Sequence, residues 1–296
     1  MRVFVTGASG WIGSAAVDAL LAKGHEVVGL ARSDASAAAV QAKGAAVLRG
    51  DLDTLDVLRS GAQGADAVVH LANKHDWSDP AESARAERAA VEVFVEALTG
   101  TGKPFLLASG VAGLASGRPG TEADRSGFRG PDAPRGGTEN LALDAVPALH
   151  AVSLRFAPTV HGARDHGFIS VIARAAREHG FAGYVGDGSS SWAAVHVADA
   201  GEAVALGLEK APAGTALHVV AEQGVPTKAI AEALGADLDL PVRSVAPEDA
   251  DGAFGWISRF WGMDMRAASD DTRRLLGWRP TGPTLLEEIQ AGAYRV

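Results

Sequence analysis

The sequence predicts an α/β fold, a doubly wound parallel sheet with a smaller C-terminal substrate-binding domain. Three observations predict it. Short apolar strands alternate with helical stretches through the first half of the chain. A glycine loop, Gly7-x-x-Gly10-x-x-Gly13, leaves the first strand and opens the first helix. After Gly162 the alternation loosens and aromatic residues gather, most densely between Phe254 and Trp261.

The elements follow in order. Residues 2–5 are a short apolar strand. A helix is expected over 14–23, with Ala15, Ala16, Ala19, Leu20 and Leu21 on its apolar side, and Gly24-His25 stops it. Residues 26–31 are a second strand, which completes a βαβ unit of about 30 residues. Strands at 45–48, 67–70, 105–108 and 151–156 then alternate with helices at 54–60, 81–98 and 138–145. Beyond them, helices are expected at 169–179, 200–209 and 227–234, the last introduced by Pro226, and a strand at 217–221. The expected division is 1–165 for the first domain, with sheet contributions from about 192–222, and 166–296 mainly for a substrate-capping domain.

Composition narrows the classes. The chain has 296 residues, 47% hydrophobic and 21% charged, an ordinary globular balance with room for a full core. A formal net charge of −9 with no basic stripe speaks against nucleic acid and anionic membrane as partners. The absence of cysteine excludes disulfides, thiolate metal sites and cysteine nucleophiles. No run of about 18 apolar residues is present, and the first strand begins at once with no export leader, so a cytoplasmic protein is expected.

The glycine loop has a physical reading. The first glycine permits a tight turn, the second lets backbone approach a pyrophosphate, and the third lets helix pack on strand. The phosphates then sit at a helix N-terminus, held by free N–H groups and the helix dipole. Gly7, Ser9, Gly10, Trp11, Ile12 and Gly13 are therefore expected to bind a dinucleotide. At the end of the second strand, Ala31 stands where an acid would bind the ribose diol of NAD, and Arg32-Ser33 follow. A guanidinium and a hydroxyl suit a 2′-phosphate, so NADP(H) is favoured over NAD(H).

Six stretches, the glycine loop and five others, carry a resemblance. They are Thr6-Gly-Ala-Ser-Gly-Trp-Ile-Gly13, Gly50-Asp51-Leu52, Val69-His70-Leu71-Ala72, Leu154-Arg155 through Val160-His161-Gly162, Val195-His196-Val197-Ala198-Asp199, and Leu276-Gly277-Trp278-Arg279-Pro280. In that order and over nearly the whole chain, they resemble the extended short-chain dehydrogenases/reductases, the group that includes nucleotide-sugar epimerases and dehydratases. The resemblance implies a Rossmann domain in which Asp51 and Leu52 flank the adenine. It also implies that Leu71, Ala72 and Asn73 run beside the nicotinamide ribose, and that Pro158, Thr159 and Val160 pack near the nicotinamide. Ser109 matches the family's serine region after the fifth strand. His70 and His196 read as core or strand-end histidines, and Arg155 as structural.

The chain departs from that family at its proton-transfer pair. Alignment places Arg135 at the tyrosine and Glu139 at the lysine of Tyr-x-x-x-Lys. The chain has two tyrosines, Tyr184 and Tyr294, and neither precedes a lysine by four. Arg135 and Glu139 are expected to bridge on the helix surface, an interaction of about 0.3–0.5 kcal/mol. His75 is then the first candidate for proton donor, with Ser109 as a supporting hydrogen-bond donor.

Val111, His166, Trp192 and Trp256 are the candidate substrate residues, with Trp261 a further pocket candidate and Trp278 read as packing. An aromatic pocket suits a small hydrophobic substrate, and the basic residues that would clamp a second diphosphate are not clustered in this half. No metal is expected, and a homodimer is an open partner reading. The function expected is an NADPH-dependent oxidoreductase acting on a hydrophobic carbonyl or imine. A protonated imine is already electrophilic, so it would tolerate the missing tyrosine better than a ketone. The alternatives are a non-catalytic NADP-binding redox sensor and, disfavoured for want of a base, an epimerase or dehydratase.

Overall fold

A computed structural model describes residues 1–74, 79–130, 133 and 135–295. The first βαβ unit forms as the alternation predicts: β1 (Arg2–Thr6), α1 (Trp11–Ala22) and β2 (Glu26–Ala31). Next come α2 (Asp34–Ala42), β3 (Ala46–Arg49), α3 (Leu55–Gln63), β4 (Ala67–His70), α4 (Pro80–Leu98) and β5 (Pro104–Gly110). Then α5 (Arg135–Asp144), β6 (His150–Phe156), β7 (Thr159–His161), α6 (Phe168–His179), β8 (Ala182–Val185) and β9 (Ser191–His196) follow. The chain ends with α7 (Val197–Lys210), β10 (Ala216–Val219), β11 (Glu222–Pro226), α8 (Thr227–Leu238), β12 (Val242–Val245) and four short helices, α9 (Ala250–Phe254), α10 (Ser258–Trp261), α11 (Asp270–Leu276) and α12 (Leu285–Gln290).

Seven parallel strands form the main sheet in the order β10-β6-β5-β4-β1-β2-β3. One face buries Val3, Val5, Val17 and Leu20 with Val204 and Leu208 of α7. The other buries Phe4, Val68 and Phe105 against Leu58 of α3 and Val91 and Phe94 of α4. Both faces are covered by helices, which is why the strands read as continuous apolar runs rather than alternating ones. The chain winds outward from β1 in both directions, so the strand order reverses between β1 and β4. At such a switch point the connections leave in opposite directions and open a crevice at the strands' carboxyl ends.

A second core lies beyond β7. It gathers Ile169, Ile172, Trp192, Ile230, Leu234, Phe254, Trp261 and Leu285. Two small sheets serve it, β11-β9-β7 and β12-β8. The sheet contribution expected from about 192–222 is therefore narrower than the sequence implied. Only β10 joins the main sheet, whereas β9 pairs with β11 on one side and with β7 on the other.

Helix α2 carries little hydrophobic periodicity, because only Ala37 and Val40 of it are buried and the apolar stripe is short. Its start is chemical: Ser33 and Ser36 form a reciprocal capping box. Pro226 stands at the N-cap of α8 rather than inside its first turn. Among the described residues no helix is long and apolar enough to cross a membrane.

Candidate active site at the crevice between β1 and β4

The glycine loop sits at the head of the crevice. Gly7 has φ +71°, a backbone region that costs glycine least. A Cβ on Gly7 would lie 2.8 Å from the Ala72 nitrogen, and one on Gly13 would lie 1.9 Å from the Gly7 carbonyl oxygen. The loop, the start of α1 and the end of β4 are thus packed backbone to backbone. The N-cap of α1, Gly10, has no capping side chain, and no acid stands in the first turn. Its leading N–H groups remain available to an anion. The residues present fit a dinucleotide pyrophosphate. Among the described residues the buried Thr159 hydroxyl has no hydrogen-bond partner, which also fits a polar ligand beside β7.

Thr6 ties the two crevice strands together. Its hydroxyl lies 2.7 Å from His70 Nδ1 and accepts from the Ala72 nitrogen at 3.2 Å. His70 is fully buried, and that burial holds its pKa down at about 4, with Arg135 acting in the same direction and Glu87 against it. Trp11 fastens the loop to the second lobe by donating from Nε1 to the Val160 carbonyl at 2.7 Å. The exposed His166 stands edge-on to the Trp11 ring at 5.6 Å.

Arg32 is exposed at the tip of β2. Asp34, the nearby acid, is engaged by Arg49 at 2.8 Å, and Arg49 also donates to the Ser33 carbonyl. The Ser33 hydroxyl accepts from the Ser36 nitrogen in the capping box, so it serves helix α2 as well as standing beside Arg32. The Asp51 carboxylate closes its own turn by accepting from the Asp53 and Thr54 nitrogens, and Leu52 is buried behind it.

The pair at Arg135 and Glu139 overturns the surface bridge expected from their spacing. Glu139 is buried and accepts from Arg155 Nε at 2.6 Å and from Ser109 Oγ at 3.0 Å. Arg155 also donates to the Asp124 carbonyl at 2.7 Å. The Ser109 proton is thereby directed to Glu139, away from the donor role expected of that hydroxyl. Arg135 instead donates from Nε to both oxygens of Glu87, at 3.0 and 3.1 Å. Glu87 also accepts from Asn73 Nδ2 at 2.6 Å and from Thr138 Oγ1 at 3.1 Å. Inward-facing positions on α4 and α5 cause the exchange: each helix turns one carboxylate into the protein, where a cation must meet it.

Glu87 and Thr138 were not singled out from sequence. The signal for Glu87 was present, since it falls on the buried stripe of α4 with Ser83, Ala90, Val91 and Phe94. A carboxylate on an apolar helix stripe needs a partner.

The candidate substrate residues divide. Trp192 is buried in the second core, donates Nε1 to the Met263 carbonyl and packs on Trp261, which is also fully buried. Both belong to the core rather than to a pocket wall. Val111 is buried, its nitrogen bonded to the Phe156 carbonyl. Trp256 is half-buried against Phe168, which also meets Trp192, and His166 lies two residues before Phe168. His75 lies outside the described residues. Trp278 is buried and donates to the Asp199 carbonyl.

The sequence profile of the NAD dependent epimerase/dehydratase family matches residues 3–220. An uncharacterised protein of Schizosaccharomyces pombe is 42% identical over 99% of this chain and 100% of its own length. The 3-diazoavenalumate denitrifying reductase of a Streptomyces species is 32% identical over 96% of this chain and 97% of its own. Among solved structures, a dTDP-glucose 4,6-dehydratase from Streptomyces venezuelae superimposes with a TM-score of 0.75 at 22% identity, covering 99% of this chain and 96% of that one. That likeness concerns the fold.

Proposed function

This chain belongs to the NAD dependent epimerase/dehydratase family, and from that premise we propose that it is an NADPH-dependent reductase of a small hydrophobic carbonyl or imine compound. NADPH, when bound, supplies the hydride. The chain's own residues do the rest. The N–H groups at the start of α1 take the pyrophosphate, Arg32 takes the 2′-phosphate, and Leu71, Ala72, Asn73 and Pro158 to Val160 border the nicotinamide end. Trp256 and Phe168 give the second lobe an aromatic face that keeps water from the reacting carbon.

One observation carries the choice of reduction over epimerisation or dehydration. Both tyrosines belong to the second lobe and each is engaged there. Tyr184 lies on β8 under Lys228, and the buried Tyr294 donates its hydroxyl to Asp165 at 2.9 Å. Burial and the Asp165 carboxylate raise the Tyr294 pKa far above the usual phenol value, so it holds its proton. Among the described residues, a reaction that begins by deprotonating a hydroxyl therefore lacks the family's tyrosine base. Hydride addition to an electrophilic carbon needs none. The similarity to a reductase over nearly the whole chain agrees with this reading.

The test is steady-state oxidation of NADPH and NADH against a panel of hydrophobic ketones and cyclic imines. The expected outcome is turnover with NADPH in preference to NADH. Tight NADPH binding with no turnover across the panel would establish the redox-sensing alternative.

A further inference from the structure

The reductase reading leaves open what meets the substrate atom that gains charge as hydride arrives. We propose that Arg135 is that group, a guanidinium that binds the substrate oxygen and selects a carbonyl compound over a cationic imine. The proposal rests on the reductase reading for its chemistry and on the following geometry for its place.

Arg135 opens α5, and its Nη2 lies 3.4 Å from the carbonyl oxygen of Ala72, the second residue beyond β4. Ala72 in turn packs against Gly7. The guanidinium is therefore at the carboxyl end of the strands, at the switch point, where the topology opens its crevice. Its Nε edge is anchored on Glu87, whose side chain is 3% exposed, while the Arg135 side chain is 28% exposed. Asn73 and Thr138 hold the same carboxylate. The anion faces the interior and the cation faces outward, so a ligand entering the crevice meets the N–H side of the pair. Among the described residues, Nη1 has no hydrogen-bond acceptor.

An arginine guanidinium does not give up its proton in a protein, so it is no proton donor. It can do something else. As hydride adds to the carbonyl carbon, the C=O π pair moves onto oxygen. Two N–H groups of a fixed guanidinium stabilise that alkoxide, which then takes a proton from water at the crevice mouth, the hydroxide so formed passing to the buffered solvent. Products are the alcohol and the oxidised nicotinamide. A donor held in place by Glu87 before the reaction need not reorganise during it. The same fixed cation repels an iminium carbon.

Arg135→Gln and Arg135→Lys separate this role from a structural one. The first readout needs no turnover: binding of benzoate, a carboxylate stand-in for the oxyanion, measured by calorimetry on the protein saturated with NADP⁺. Arg135→Gln is expected to weaken benzoate at least tenfold and Arg135→Lys to retain part of the binding, with NADPH affinity unchanged in both. The second readout is kcat on a ketone and a matched cyclic iminium. Arg135→Gln is expected to lower ketone kcat by about 100- to 1,000-fold, as loss of one oxyanion donor does elsewhere, and to leave or raise the iminium rate. Unchanged benzoate binding in Arg135→Gln overturns the proposal. So does an equal loss on ketone and iminium together with weaker NADPH binding, the signature of a merely structural arginine. If the wild type reduces neither substrate class, the reductase reading fails, while benzoate binding lost in Arg135→Gln still upholds the anion site.

Discussion

Arg155 on β6 and Glu139 on α5 form an ion pair at 2.6 Å with each side chain 1% exposed. Such a pair cannot be judged by the small value of a surface bridge. Two charges have left water, and each now depends on the other and on the Ser109 hydroxyl and Asp124 carbonyl around them.

Glu139→Ala is therefore expected to destabilise the protein by about 3–5 kcal/mol, because it strands a buried guanidinium. Urea unfolding with far-UV circular dichroism measures it. A loss below about 1 kcal/mol, the range of an exposed pair, would show that water reaches Arg155.

Arg32→Ala tests cofactor choice. Asp34 is already engaged by Arg49, so among the described residues no acid pairs with Arg32 beside the expected 2′-phosphate position. NADPH binding should weaken by about 1.5–3 kcal/mol, the scale of a charge-assisted contact, and NADH binding should stay within twofold. Equal losses for both nucleotides would place Arg32 elsewhere than at the 2′-phosphate.

Gly13→Ala tests the cradle. The new methyl would begin 1.9 Å from the Gly7 carbonyl oxygen, so the loop must open. NADPH affinity is expected to fall by at least tenfold, read by fluorescence titration. Gly24→Ala is the control: that glycine has φ +79° but open space around it. It should cost about 1 kcal/mol of stability from the backbone strain alone and leave NADPH affinity unchanged.

Acid should weaken the fold through its buried histidines. Burial depresses the pKa of His70 and His161 to about 4, and lowers that of His218. From the ordinary value of 6.5 down to about 4, the unfolded chain binds protons that the folded chain refuses. The stability is complete above that ordinary value and is lost as pH falls towards the folded one. Asp165 and Glu222, whose carboxyl pKa values burial raises, oppose part of this loss. His161 is the cleanest probe, since among the described residues neither of its ring nitrogens has a hydrogen-bond partner. His196 stands 5.7 Å from it, and Glu222 lies at 3.8 Å. His161→Phe should lose less stability than the wild type between pH 7.5 and pH 5, by on the order of 1–3 kcal/mol. Parallel urea midpoints for the two proteins over that range would show that His161 is not a source of the slope.

Much of the first half is legible in the sequence alone. Strand β4 begins and ends at Ala67 and His70 as its apolar run suggests, and α4 ends at Leu98. The second lobe was less legible. Strands β7, β8, β9, β11 and β12 are three to six residues long and draw partners from distant segments, so no periodicity builds up in any one of them. Trp192 shows the consequence for the site. A tryptophan after a glycine- and serine-rich loop reads equally as a pocket wall and as core, and the packing of Phe168 and Trp261 around it decides for core.

The sequence by itself determined which segments, in chain order, supply the strands of the main sheet, the glycine cradle and the lack of a Tyr-x-x-x-Lys pair. These are local facts: an apolar run, a turn that requires glycine, a residue type at a spacing. Only the tertiary structure decided the partners of the charges. Arg135 and Glu139 stand four apart on one helix, yet Arg135 pairs with Glu87, 48 residues away, and Glu139 with Arg155, 16 residues away. The reason is desolvation. Packing α4 and α5 against the sheet takes both carboxylates out of water, and a buried carboxylate must take the cation that the fold brings to it.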